Sequence, residues 1–166
     1  MNGKLAVLWI FILVLLLWQG WSAYHELPDR MPSHFNLQGQ PDSFSSKESF
    51  LQTWFLALFA LNALVPICRL VLGIVPPKMI NVPNRSYWLT TPERRRQVAI
   101  KMTNLMGFVF TVVDIMFLVI FESIRSFALT GKASIPLWAP MLLLPIVFAF
   151  PLVYLFRTFR IPQCSK

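Results

Sequence analysis

The chain has 166 residues, of which 56% are hydrophobic and only 13% charged. A soluble domain carries about 25% charged residues, and a domain of this size leaves too much surface in water to hide so much apolar side chain. Composition therefore excludes a soluble globular domain and intrinsic disorder, and leaves an integral membrane protein, in keeping with a mean hydropathy of +0.60. The formal net charge of +8 would point to nucleic acid in a soluble protein. Here the basic residues fall between apolar runs, so the expected partners are the lipid bilayer and anionic lipids, with no nucleic acid.

Apolar runs cover residues 5–24, 50–73, 98–122 and 137–156. Each has the length that crosses a hydrocarbon core about 30 Å thick. None alternates as a barrel strand does. The fold class read from this pattern is all-α: an integral membrane four-helix bundle, residues 1–166 forming a single transmembrane domain.

The first run ends in Trp21-Ser22-Ala23, which has the look of a signal-peptidase site. Trp21 is too large for the small position such a site needs, so the run is expected to stay as the first span. Between the first and second runs lies a loop with both histidines and four of the seven acidic residues. Pro28, Pro32 and Pro41 force extended backbone around them. Gly39-Gln40-Pro41-Asp42 reads as a turn. His25, Asp29, Arg30, His34 and Asn36 are the candidate ligand- or partner-facing residues. Their spacing matches no metal-ligand signature, so no metal and no cofactor is expected.

Ser45-Ser46-Lys47-Glu48 fits a capping box before the second span, and Pro66 removes a backbone donor within it. The next loop carries Arg85, Tyr87, Trp88, Arg94, Arg95 and Arg96. Tyr and Trp suit the headgroup zone, which makes this a basic loop facing lipid or a protein partner. Thr91-Pro92-Glu93 is an N-cap, a proline at the first helical position and an acid in the first turn. It starts the third helix well before its apolar part. Pro145 and Pro151 are expected to kink the fourth span.

Lys and Arg divide unevenly between the two sides, eleven against four. The positive-inside rule therefore places both termini and the basic loop in the cytoplasm and the His-containing loop outside, an N-in/C-in topology.

Asp114 is the anomaly within the apolar runs. A carboxylate at that depth costs a few kcal/mol and faces the bundle interior. At about 100° per residue, Gly107 and Arg125 fall at about 20° from Asp114, Thr111 at about 60°, and Asn104 and Glu122 at about 80°. One face of the third helix is thus small or polar along its length. Counting from the outer ends of the spans, Gln19 and Asn62 match Asp114 in depth to about 6 Å, whereas Arg69 lies some 16 Å deeper. Gln19, Asn62, Thr111 and Asp114 are the intramembrane polar candidates, open to two readings: interhelical glue, or a proton or ion path. No nucleophile elbow, phosphate loop or spaced metal site is present, so a non-enzymatic protein is expected.

Leu27-Pro28-Asp29-Arg30-Met31-Pro32-Ser33-His34-Phe35-Asn36, with Gly39 and Ser46-Lys47 downstream, resembles the signature of domain-of-unknown-function family 1648. The segment Asn81-Val82-Pro83-Asn84-Arg85-Ser86-Tyr87-Trp88-Leu89 with Pro92-Glu93-Arg94-Arg95 is similar to a second motif of some members, so the likeness covers residues 24–96. That family includes the immunity protein of the sporulation-delaying toxin system, which protects the producing cell and holds a repressor at the membrane. The resemblance implies a multi-pass protein of the bacterial cytoplasmic (inner) membrane with a sensing, immunity-like or protective role. The alternative is a small proton-coupled transporter or an accessory subunit of a membrane complex.

The charge asymmetry generates a direct test. A Ser43→Cys variant is expected to react with an impermeant maleimide in intact cells, and Ser86→Cys only after permeabilisation. The reverse pattern would invert the topology.

Overall fold

The computed structural model describes residues 1–36 and 38–162. Its helices are α1 (Gly3–Ala23), α2 (Lys47–Ile74), the single turn α3 (Arg85–Trp88), α4 (Pro92–Thr130) and α5 (Leu144–Thr158). Strands β1 (Arg30–Phe35) and β2 (Pro41–Ser46) form an antiparallel hairpin between α1 and α2. Four segments are long and apolar enough to cross a membrane: α1, α2, α4 and Ala139–Thr158. The fold therefore departs from all-α by one two-stranded sheet. Its local cause is the proline-spaced segment, in which extended backbone is imposed and a partner strand is close in sequence.

α4 is the central post. It has 39 residues, about 58 Å at 1.5 Å per residue, and α1, α2 and α5 each pack against it. Thr91 caps its start, accepting from the Arg94 N–H at 3.3 Å, with Pro92 in the first turn. Gly131 ends it at φ +74°, a left-handed conformation that lets its N–H close on the Phe127 carbonyl. The face expected to be small and polar is the one that packs: Gly107, Thr111 and Asp114 are buried. At Gly107 a Cβ would displace the flexible Met1 thioether and meet Leu5 at ordinary contact distance.

Other boundaries moved for identifiable reasons. The cap of α2 is Ser46, which accepts from the Ser49 N–H at 3.1 Å. The capping box expected one residue earlier does not form: the N-cap is Ser46 rather than Ser45. Pro145 does not kink a helix, since it lies in the first turn of α5, where its missing N–H is not needed. The residues before it form a 3-10 helix, Ala139–Leu143. Pro66 and Pro151 do lie inside α2 and α5.

Two cores hold the chain at opposite ends. At the hairpin end Leu16, Leu27, Met31, Trp54 and Phe121 pack together, joining α1, β1, α2 and α4. At the other end Ile80, Val82, Trp88, Val98 and Phe159 form a collar around the start of α4. The N-terminus of α1 and the C-terminus of α5 both lie toward the collar end: Asn2 N–H donates to Asn104 at 2.7 Å, and Lys101 Nζ to the Thr158 carbonyl at 2.9 Å. α5 buries no side chain completely; among the described helices and strands it packs against α4 and the 3-10 turn before it, and its Leu155 packs against the collar. The many exposed Leu, Ile, Val and Phe side chains of α1, α2 and α5 are what hydrocarbon accepts and water does not.

The collar makes Trp88 a structural key. Its ring packs edge-on to Phe159 at 5.5 Å, and its Nε1 donates to the Phe159 carbonyl at 2.9 Å. Trp88→Ala is expected to cost about 3–5 kcal/mol, read as a lower thermal unfolding midpoint in detergent. Trp88→Phe, which keeps the ring, is expected to lose only the hydrogen bond, about 1 kcal/mol.

Candidate functional site

Three helices meet at Asn62. Its Oδ1 accepts from Trp9 Nε1 of α1 at 2.7 Å. Its Nδ2 donates to Asp114 Oδ1 of α4 at 3.0 Å and to the Leu58 carbonyl of its own helix at 3.0 Å. Asp114 is 0% exposed, and its Oδ2 has no hydrogen-bond partner. One turn from Asp114, Thr111 Oγ1 donates to the Gly107 carbonyl at 2.7 Å. Pro66 lies four residues beyond Asn62, so the Asn62 carbonyl loses its helical donor. The depth matching that favoured Asn62 over Arg69 is reproduced: Arg69 is exposed. Gln19, the other depth-matched residue, donates instead to the Leu118 carbonyl at 3.2 Å, about one turn nearer the hairpin. Sequence reasoning missed Trp9. The available signal was a tryptophan inside an apolar run, whose N–H needs a partner.

The hairpin carries the His-containing cluster but divides it. His34 Nδ1 and Asp42 Oδ1 pair across the strands at 2.5 Å, both exposed. Arg30 lies over the Phe44 ring at 4.4 Å. Asp29 is 3.5 Å from Lys47 Nζ. Asn36 shapes the bend, with Oδ1 accepting from the Gln38 and Gln40 N–H groups at 3.0 and 2.9 Å. The turn therefore lies at Asn36 to Gln40, with Gly39 at φ +75°, and Pro41 and Asp42 already belong to β2. His25 stands apart, edge-on to Tyr24 at 5.4 Å. Among the described residues no three His, Cys, Asp or Glu side chains converge as metal ligands would.

The hairpin is anchored rather than loose. Phe35 packs edge-on to Phe127 of α4 at 5.5 Å, and Met31 is fully buried. Beside it Arg125 binds Glu122 through two bonds of 3.0 Å and Glu26 at 2.5 Å. This ion triad joins α4 to the segment that leads into the hairpin. Glu122 and Arg125 sit three apart on one helix face, which is visible in sequence; the Glu26 contact, 99 residues distant, is not.

Residues 10–61 match a domain of unknown function, DUF1648. The DUF1648 region thus takes in most of α1, the hairpin and the first half of α2. A protein of Archaeoglobus fulgidus described as uncharacterized is 28% identical over 99 residues, covering 51% of this chain and 50% of its own length. The chain therefore aligns with about half of that relative. No solved structure matches it significantly. The hairpin motif falls inside the DUF1648 match, whereas the second motif, residues 81–96, falls outside it. Trp9, Asn62 and Asp114 lie outside it as well, so the polar relay flanks the DUF1648 match rather than forming part of it.

The collar residues sort into bound and free. Trp88 is 4% exposed and is unavailable to headgroups. Arg94 stacks on the Tyr87 ring at 3.9 Å and donates to the Tyr87 carbonyl at 3.3 Å. Arg95 donates to the Val75 carbonyl at the end of α2. Lys101 sits over the Trp88 ring at 4.0 Å. Arg85 and Arg96 are exposed. The basic patch left for lipid or a partner is therefore smaller than the sequence suggests, since Arg94 and Arg95 also brace the collar.

The relay generates a paired test. Asp114→Asn keeps an acceptor for Asn62 and is expected to unfold within about 1 kcal/mol of the parent protein. Asn62→Leu strands both Trp9 Nε1 and Asp114 Oδ1, at about 1–3 kcal/mol per stranded group. Thermal unfolding in detergent compares them. Equal losses would mean that the relay does not hold the helices together.

Proposed function

We propose that this is a non-enzymatic membrane protein with a sensing or protective role. Its hairpin meets a ligand on one side of the bilayer, and its collar meets lipid or a protein partner on the other. The observation that carries this reading is the continuity of α4. One uninterrupted helix is bound to the hairpin through Phe127 and Arg125 and to the collar through Val98 and Lys101. A force on the hairpin has a stiff route to the collar, because packed helices shift as units. The anchored His34–Asp42 pair and Arg30 offer the ligand polar groups on a preformed surface. The DUF1648 match supports this only at the level of a membrane protein of unknown function. The cytoplasmic-membrane setting is part of the proposal.

A second reading, transport or an accessory role in a membrane complex, draws support from the unpartnered Asp114 Oδ2. Buried carboxylates in membranes mark proton relays in other proteins.

Both readings meet in one complementation experiment. A deletion strain is expected to survive its own stationary-phase medium less well than the parent, and the wild-type gene to restore survival. Phe127→Ala, which frees the hairpin from α4, is expected to fold but not to restore it. Full restoration by Phe127→Ala would remove the protective reading as stated. A stable Asp114→Asn protein that fails to complement would shift the assignment to the proton path.

A further inference from the structure

A cavity of about 380 Å³ opens between α1 and α4 at the hairpin end. Its deeper wall is apolar, formed by Leu15, Trp18 and Leu118, and its mouth carries Glu26, Glu122 and Arg125. Two carboxylates and one guanidinium leave a net charge of −1. The guanidinium is already engaged: Nε and Nη2 bind Glu122 and Nη1 binds Glu26. What remains at the mouth is acceptor capacity, since each carboxylate offers about four lone-pair sites. Gln19 also lines the cavity, but its Nε2 is used by the Leu118 carbonyl and its Oε1 is buried, so the acceptors open to a ligand are the two carboxylates. Ser22 supplies none of the missing donors, because its hydroxyl points back to the Gln19 carbonyl at 3.3 Å.

We propose that this cavity binds the primary ammonium headgroup of an aminophospholipid, with an acyl chain along Leu15, Trp18 and Leu118. A primary ammonium carries three donors and no acceptor, which matches a mouth that offers the Glu26 and Glu122 carboxylates. Trp18, 67% exposed, adds an aromatic surface that attracts a cation. The level in the bilayer also fits. The triad lies where α1 ends, beside Ala23, and the apolar wall lies one to two turns deeper, so a lipid in that leaflet has its headgroup and chain in register with the mouth and the floor. A quaternary headgroup has the charge but no N–H to offer the carboxylates. An anionic headgroup meets a site of the same sign. This inference stands apart from the hairpin-ligand reading and does not require it.

Native mass spectrometry of the full chain tests it, with the protein delipidated in a neutral maltoside detergent. Phosphatidylethanolamine, phosphatidylcholine and phosphatidylglycerol of identical chains are added in equal amounts. The wild-type protein is expected to retain phosphatidylethanolamine about tenfold over the other two, the worth of one hydrogen bond to a charged group. Glu26→Gln and Glu122→Gln are each expected to bring it down to the phosphatidylcholine level with a modestly lowered unfolding midpoint, since each carboxylate also belongs to the ion triad. Phosphatidylglycerol held by the collar arginines is expected to be indifferent to both changes. Should either variant unfold, Trp18→Leu, at an exposed position, is expected to lower phosphatidylethanolamine retention in a folded protein. Soluble phosphoethanolamine in excess is expected not to displace the lipid; displacement would make the ligand a free amine and overturn the lipid assignment. Equal retention of the three lipids, or a preference unmoved by the variants, would overturn the site itself.

Discussion

Inside a bilayer, apolar side chains gain nothing by leaving lipid for one another, so helices are joined by polar contacts and by surfaces small enough to pack closely. The relay from Trp9 through Asn62 to Asp114 meets that constraint for three helices at one point. Interhelical hydrogen bonds of this kind contribute about 0.6–2 kcal/mol each, modest singly, but they also fix the rotation of each helix about its axis. Asn104 fastens the first turn of α1 by accepting from the Asn2 N–H. With those rotations set, Gln19 faces α4 and Trp54 faces Phe117 and Phe121. α5 has no share in the relay and buries none of its side chains completely.

The two ends of the bundle are built by different physics. At the hairpin end, aromatic packing and an ion triad hold a small sheet to the helices. At the collar end, side chains close on backbone carbonyls at chain ends: Trp88 and Asn84 on Phe159, Lys101 on Thr158, Arg95 on Val75. Helix C-termini leave carbonyls unsatisfied and favour cations nearby. The basic residues of the collar therefore serve helix termination as well as charge asymmetry. This dual use explains why a count of Lys and Arg overstates the basic surface left for binding.

For the same reason the candidate sites differ in kind. The hairpin offers exposed polar groups on a fixed frame, with His34 and Asp42 paired across the strands. The relay offers a buried carboxylate with one oxygen unpaired. The cavity beside α1 offers an acceptor-rich mouth over an apolar floor. None requires the others, and α4 contributes to all three through Phe127, Asp114 and Arg125.

The number of spans, their approximate limits, the cap at Thr91, the buried polar face of α4 and the depth match between Asn62 and Asp114 were legible in the sequence. Each follows from local composition or from a fixed rise and rotation per residue, which neighbours do not alter. The hairpin, the role of Trp9, the burial of Trp88 and the contact of Glu26 with Arg125 were settled only by tertiary structure. Each depends on which distant residue lies opposite, and spacing along one helix carries no information about that. Trp88 shows the physical reason most directly: Tyr-Trp beside arginines has the composition of a headgroup anchor, but the carbonyl of Phe159, 71 residues away, gives the indole a partner inside the protein.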